Sequence, residues 1–395
     1  IQDTREVRAA VRFTTSVGSQ QFDVKQLRWV NTSPKGDKLV YSALGYLYVR
    51  DLPNGSPRRL TQQSEHFEYF PKFSPDGQSI VYTTWHDQKL GSVRVIDVRS
   101  LKESVLTKDP GKYVEPAMSP DGKQVVYRKV RGGFLTSPWY GLENGVYAVA
   151  SDGKSAPRLI ADDGDAPQFA NDSSVVYLTR TKYTGEVDWS TSLYRVKLDK
   201  TEDVQIAKGD FVSAFSVSPD GQWLAFNERF HVYVTPMPFA GKALSVSGKS
   251  DALPVKQLDV NAGEYVHWSG NSQKLFYALG DELFSVPLTN AFSFVSGAPA
   301  EFPKAAESGV KIGFSERADK PSGVTVISGA RVVTMKGDEV IESARIVIRD
   351  NRITAVGLVD QIPIPTGAKL IDAKGKTIIP GLVDVHWHGG MGEGE

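Results

Sequence analysis

Met118-Ser119-Pro120-Asp121-Gly122-Lys123-Gln124-Val125-Val126-Tyr127 is the stretch on which the architecture turns. Proline presets φ for the second position of a tight turn, aspartate accepts local backbone hydrogen bonds, and glycine takes the left-handed conformation. Ser-Pro-Asp-Gly is therefore a hairpin turn, and the β-branched run behind it is a strand. The pattern returns as Phe73-Ser74-Pro75-Asp76-Gly77 and Val217-Ser218-Pro219-Asp220-Gly221. Weaker copies are Asn31-Thr32-Ser33-Pro34-Lys35-Gly36, Phe169-Ala170-Asn171-Asp172-Ser173 and Trp268-Ser269-Gly270-Asn271-Ser272. The small residue of each copy stands at 33, 74, 119, 170, 218 and 269, at intervals of 41, 45, 51, 48 and 51 residues. That is the period of a four-stranded propeller blade.

A second strand is expected after each turn, at Tyr46–Asp51, Val93–Val98, Gly145–Ala150, Leu193–Leu198, His231–Thr235 and Glu282–Pro287. A blade cannot bury both faces alone and must stack on its neighbours. The expectation is an all-β chain opening with a six-bladed β-propeller, blades at 29–290 within a domain of 1–290, a seventh blade being the alternative. In the N-terminal segment 1–28, Arg5–Phe13 alternates Val7, Ala9, Val11 and Phe13 on one face, as a strand closing the ring would. Residues 291–321 are rich in Ala, Ser, Gly and Pro and read as a linker, with one alternating piece at Val310–Phe314. The repeat resembles TolB-type propellers, a pattern also found in the propellers of prolyl-oligopeptidase-like peptidases. That resemblance implies a protein partner at the propeller and a bacterial periplasmic or cell-envelope location. No Trp-Asp dipeptide occurs, which sets the repeat apart from the WD type.

Lysine plus arginine equals aspartate plus glutamate at 46 each, so no net field draws the 395-residue chain to nucleic acid or an anionic membrane. No apolar run reaches the roughly 18 residues that a membrane-spanning helix needs. The opening IQDTREVRAA lacks the basic start and apolar core of a signal peptide, and it begins with Ile1, as it would with a leader removed or never included. Without cysteine the chain has no disulfide or thiol chemistry and tolerates an oxidising compartment.

Chemistry concentrates near the end, in Ile371–His388, IDAKGKTIIPGLVDVHWH. Pro380-Gly381 punctuates a turn, and Leu382–His388 reads as a short buried strand. Alternation puts Leu382, Asp384, His386 and His388 on one face, so two imidazoles can reach a single cation such as zinc. Standing alone, such a pair is equally a strand with two hydrogen-bonded surface histidines. Upstream, Val324–Val356 is a run of β-branched strands broken at Lys336-Gly337-Asp338 and Arg349-Asp350-Asn351-Arg352. Residues 322–392 resemble the opening of the amidohydrolase superfamily: a small β-sandwich at 322–380, then the first strand of a (β/α)8 barrel at 381–395. The resemblance makes His386 and His388 ligands of one or two divalent ions, zinc or similar. It implies a metal-activated water that hydrolyses amide or other C–N bonds in small or peptide-like substrates. The remaining ligands and the base would come from later strands, and a barrel takes on the order of 250 residues, so the chain is expected to be an inactive fragment.

Other residues carry weaker signals. Glu68 and Glu115 precede blade turns and read either as a polar ring lining a central channel or as solvated loop residues. His66, His86, His231 and His267 lack ligand spacing and read as structural or surface groups, and Trp85, Trp139, Trp189 and Trp223 as packing between blades. Two functions stay open: a metal-dependent hydrolase carrying a propeller, or a propeller that binds protein or peptide without catalysis. A serine peptidase would need a Gly-x-Ser-x-Gly elbow, which the sequence lacks.

Overall fold

The computed structural model describes residues 19–130, 143–183, 185, 188–238, 241–382, 384 and 386. Among these, regular structure is strand apart from one 3-10 turn at Leu288–Asn290. No helix among them is long and apolar enough to cross a membrane. Contacts divide the chain into two compact units that meet in sequence at Phe314 and Ser315.

The larger unit holds six successive antiparallel sheets. Sheet I contains Arg28–Thr32, Lys38–Ala43, Tyr46–Asp51 and Arg58–Arg59, and sheet II contains Phe67–Phe73, Ser79–Trp85, Ser92–Asp97 and Glu103–Val105. Sheet III runs from Lys112–Met118 to Arg158–Ala161, and sheet IV from Asp165–Gln168 to Asp203–Asp210 with Leu244–Ser245 added in parallel. Sheet V runs from Val212–Val217 to Lys256–Gln257, and sheet VI from Glu264–Trp268 to Val310–Lys311. The second strands expected from the repeat all form, Leu193–Leu198 as the later part of a longer strand that ends one residue sooner, Trp189–Lys197, and the others within a residue or so.

Each turn is built the same way. Gly36, Gly77, Gly122 and Gly221 adopt φ of 70 to 73°, and each donates its N–H to the serine carbonyl three residues back. The serine hydroxyl then bonds the aspartate carboxylate, as in Ser74–Asp76 at 2.5 Å and Ser119–Asp121 at 2.6 Å, and accepts the N–H that opens the next strand. In the degenerate sixth copy Ser272 takes the glycine place at φ 59°, and its hydroxyl accepts the Asp220 N–H of the preceding sheet.

Apolar clusters fill all six junctions. Val40, Leu47, Val49 and Leu60 of sheet I pack on Phe73, Ile80, Tyr82 and Ile96 of sheet II, and comparable clusters follow around the series. The sixth cluster joins Leu39 and Tyr41 of sheet I to Phe276, Ala278 and Leu283 of sheet VI, so the last sheet meets the first. At roughly 1.5–3 kcal/mol for each fully buried Val, Leu, Ile or Phe, these seams dominate the stability of the ring.

One expectation needs correction here. Residues 291–321 are not merely a connector: Ala291 and Phe292 are core, Val310–Lys311 is the outer strand of sheet VI, and Ile312 is fully buried. Small and turn-forming residues mark irregular backbone and do not reveal whether it is packed. The closing strand assigned to Arg5–Phe13 lies outside the described residues, while sheet VI already has four strands.

The smaller unit carries a five-stranded sheet. Val324–Val333 pairs antiparallel with Val340–Arg349, which pairs with Arg352–Leu358. Lys369–Asp372 and Thr377–Ile378 join Val324–Val333 in parallel. Ala330, Val332, Ala344, Ile346 and Ala373 form its core.

Candidate functional site

The first strand of each sheet adjoins the first strands of its neighbours, so these six strands stand nearest the axis of the ring. Every one breaks register once, as between Arg28 and Asn31, Tyr69 and Lys72, Val114 and Ala117, and Glu264 and His267. In five sheets the residue four ahead of the small turn residue is thereby forced left-handed: Trp29, Phe70, Glu115, Ala166 and Tyr265, with φ of 49 to 55°. Sheet V has Ala214 at that place and instead turns Phe211 left-handed, at φ 56°. This conformation costs bulky residues roughly 1–2 kcal/mol each. Such strain persists where the surroundings over-determine it, and bulges of this kind re-aim side chains beside sites.

The bulges assemble a rim with two characters. From sheets I, II and VI come aromatic groups: the Trp29 ring lies 4.2 Å from Phe70 and edge-on to Tyr69 at 5.6 Å. Burial raises the Tyr265 hydroxyl pKa, with Arg28 and the Trp29 backbone opposing the shift. From sheets III and IV come charges. Glu115 accepts the Ala166 N–H at 2.8 Å and lies 2.9 Å from Arg128 Nε, and Arg128 also binds Asp165. Burial raises the Asp165 carboxyl pKa, Arg128 opposes it and Glu115 adds to it. Lys72 of sheet II lies between the two arcs, its ammonium pKa lowered by burial with Glu115 opposing.

Two residues ahead of the small turn residue, a second series ties sheet to sheet. Asn31 accepts the Phe73 N–H at 2.9 Å, and Gln168 both accepts from Val217 and donates to Phe215. His267 does this across the closing seam: its Nε2 accepts the Thr32 N–H at 2.9 Å while Nδ1 lies 2.6 Å from the Tyr265 carbonyl. That pattern fits the neutral ring, and burial lowers its pKa to about 4.

At the turn end of the ring a second hollow of about 1010 Å³ is lined by Pro34, Asp76, Asp220, Trp223 and Lys274. Trp223 stacks there on Phe292 at 5.4 Å and Phe294 at 6.1 Å. The rim at the opposite end of the first strands combines more chemical variety with backbone strain, and it is the stronger candidate.

The residues singled out from sequence divide unevenly. His388 lies outside the described residues. His386 is exposed and sits in a bend where its N–H donates to Asp384 Oδ1 at 2.9 Å; Leu382, 92% exposed, Asp384 and His386 form no strand. At its described positions the expected buried strand is exposed and irregular. Among the described residues no three His, Asp or Glu side chains converge as metal ligands. His386 alone is fewer than the four ligands zinc takes, and His388, the other expected ligand, lies outside the described residues.

Glu68 fits neither of its two readings. It is fully buried, accepting the Leu47 N–H at 2.8 Å, the Thr61 hydroxyl at 2.5 Å and the Gln63 amide at 2.8 Å, and it seals the junction of sheets I and II. Glu115 does reach the axis. The histidines are dispersed: His231 bonds Asp259 at 2.8 Å, His86 caps its own turn, and His66 borders a 440 Å³ cleft with its Nε2 buried. Trp189 and Trp223 pack on aromatic rings, whereas Trp139 lies outside the described residues. Sequence reasoning missed Trp29, Lys72, Arg128, Asp165 and Tyr265. A signal existed for two of them, since Trp29 and Tyr265 hold a fixed offset from the repeated turn.

No family model matches the chain. It is 37% identical over 67 residues to a 5-methylthioadenosine/S-adenosylhomocysteine deaminase of Symbiobacterium thermophilum, covering 17% of this chain and 15% of the relative. To an imidazolonepropionase of that organism it is 34% identical over 83 residues, covering 18% of this chain and 20% of the relative. The chain thus spans a fifth or less of these curated relatives. Among solved structures, a putative TolB from Agrobacterium tumefaciens aligns with a TM-score of 0.50 at 18% identity, over 67% of this chain and 91% of that one. The tricorn protease aligns with a TM-score of 0.52 at 13% identity, over 88% of this chain and 32% of that one. Identities this low establish the fold alone. The larger unit is a TolB-like β-propeller.

Proposed function

We propose that this chain is a six-bladed propeller acting as a binding module, and that its ligand, an extended peptide or a protein loop, seats on the bulged rim. The observation that carries this reading is the strain repeated in five sheets, which brings Trp29, Phe70, Glu115, Ala166 and Tyr265 to one level of the axis. An aromatic arc gives sequence-tolerant apolar contact, and the Glu115–Arg128–Asp165 arc selects polar or charged groups. Peptides selected from a displayed random library on the native chain should bind a Trp29→Ala, Glu115→Gln variant at least about tenfold more weakly, about 1.4 kcal/mol. The variant should keep the native urea midpoint. Equal binding to both proteins, or no enrichment at all, would sink the reading.

A hydrolase reading is favoured by the short matches to the deaminase and the imidazolonepropionase. In it, residues 322–392 are the amidohydrolase-type opening of a metal-dependent enzyme acting on C–N bonds, and His386 and His388 are two ligands of a divalent ion. The propeller then governs access or recruits a partner, in a bacterial cell-envelope setting. Equilibrium dialysis against zinc should show a bound equivalent that His386→Ala and His388→Ala each abolish. Unchanged uptake in both variants contradicts that assignment.

A further inference from the structure

Two residues ahead of the small turn residue, Asn31 ties sheet I to sheet II, Gln168 ties sheet IV to sheet V and His267 ties sheet VI to sheet I, each by accepting a backbone N–H. Sheet II places Lys72 there, paired with Val81 beyond the bulge that follows Tyr69. An ammonium donates and cannot accept, so Lys72 cannot be such a tie. Its charge instead reaches across the ring. Glu115 of sheet III acts on it from one side, and it acts in turn on His267 of sheet VI on the other. A group felt from both directions projects inward over the axis. Among the described residues Lys72 makes no hydrogen bond or ion pair. Glu115 is engaged elsewhere, by the Ala166 N–H and by Arg128, and the matching place on sheet III holds Ala117, whose methyl offers no acceptor.

We propose that Lys72 sets the specificity of the rim by taking a carboxylate of the peptide or protein loop that seats there. This role rests on the rim being the binding surface, and it names the chemical group the ligand must carry. Burying an ammonium without an acceptor is costly, and a methionine of like length would fill the same place at less cost. A counter-charge that arrives with the ligand accounts for the lysine. One carboxylate matches one ammonium, whereas a phosphate group, at about −1.5 to −2, would be repelled by Glu115. The aromatic arc of Trp29, Tyr69 and Phe70 then covers the apolar part of the ligand, and the water it excludes strengthens the pair. An aspartate or glutamate side chain and a free C-terminus present the same group and are two sources of it.

Peptides selected from a displayed random library on the native chain supply the probes. Each should contain one carboxylate whose conversion to the amide weakens binding to the native chain at least about tenfold. Converting side chains and the C-terminus separately shows which source supplies it. Against Lys72→Met the same conversion should change binding less than about twofold, and Lys72→Arg, which keeps the charge, should restore part of the difference. Lys72→Met should keep a native or higher urea midpoint, having lost only an unpaired charge, and Lys72→Gln is a second neutral variant. A purely structural role for Lys72 would weaken acid and amide peptides alike. That outcome, a carboxylate effect that survives in both neutral variants, or peptides with no essential carboxylate overturns the proposal. Failure of the rim itself looks different: the peptides would then bind the Trp29→Ala, Glu115→Gln variant as tightly as the native chain, and the proposal would fall with it.

Discussion

His267 illustrates how far one side chain can reach. As the neutral acceptor of the Thr32 N–H it pins sheet VI to sheet I, and burial holds its pKa at about 4 against an ordinary 6.5. The unfolded chain therefore binds a proton that the closed ring refuses. Its contribution is whole above pH 6.5 and is lost as the pH falls through 4, roughly 3 kcal/mol at most. Burial shifts His66 the same way. The urea midpoint should drop across that window, and His267→Gln, whose amide oxygen can still accept the Thr32 N–H, should flatten the drop; an unaltered profile contradicts the latch. Glu68→Ala strands the Leu47 N–H in the core and should cost about 1–3 kcal/mol by denaturant unfolding, while a loss below a few tenths contradicts the seal. Neither role was readable from sequence. The latch position is held by Asn31, Lys72, Ala117, Gln168, Ser216 and His267, residues with no shared chemistry, and only register reveals that they stand in the same place.

The turn is the element that sequence announces most clearly. Proline, aspartate and glycine each act within four residues, so the hairpins and the strands behind them follow from local rules. No side chain crowds Gly122, which sits at φ 70°, so Gly122→Ala should cost about 1–2 kcal/mol through backbone strain alone. A thermal shift indistinguishable from zero would mean that this turn relaxes freely. The bulged strands were harder to read. A bulge depends on pairing across a sheet, and Trp29, Glu115 and Ala166 have nothing in common as a motif. Residues 291–321 failed for the converse reason: their composition is that of a connector, while Phe292 and Ile312 are core because of what packs against them. The smaller sheet was legible in its strands and turns, whereas alternation says that a face is apolar and not what covers it.

The ring as an assembly depends on six seams, the last of which brings residues some 235 positions apart into one hydrogen bond. Periodicity in the sequence predicted the repeat, and closure required the structure. The same circular arrangement turns six weak local distortions into one rim, where an aromatic arc faces a charged one. Which end of the ring receives a partner therefore decides the account. The most direct measurement is amide hydrogen exchange of the chain with and without a saturating library-selected peptide. Protection should map to Arg28–Thr32, Phe67–Phe73, Lys112–Met118, Asp165–Gln168 and Glu264–Trp268, the strands that bear the rim. Protection confined to the turn end, around Pro34, Asp76, Asp220 and Trp223, would contradict it.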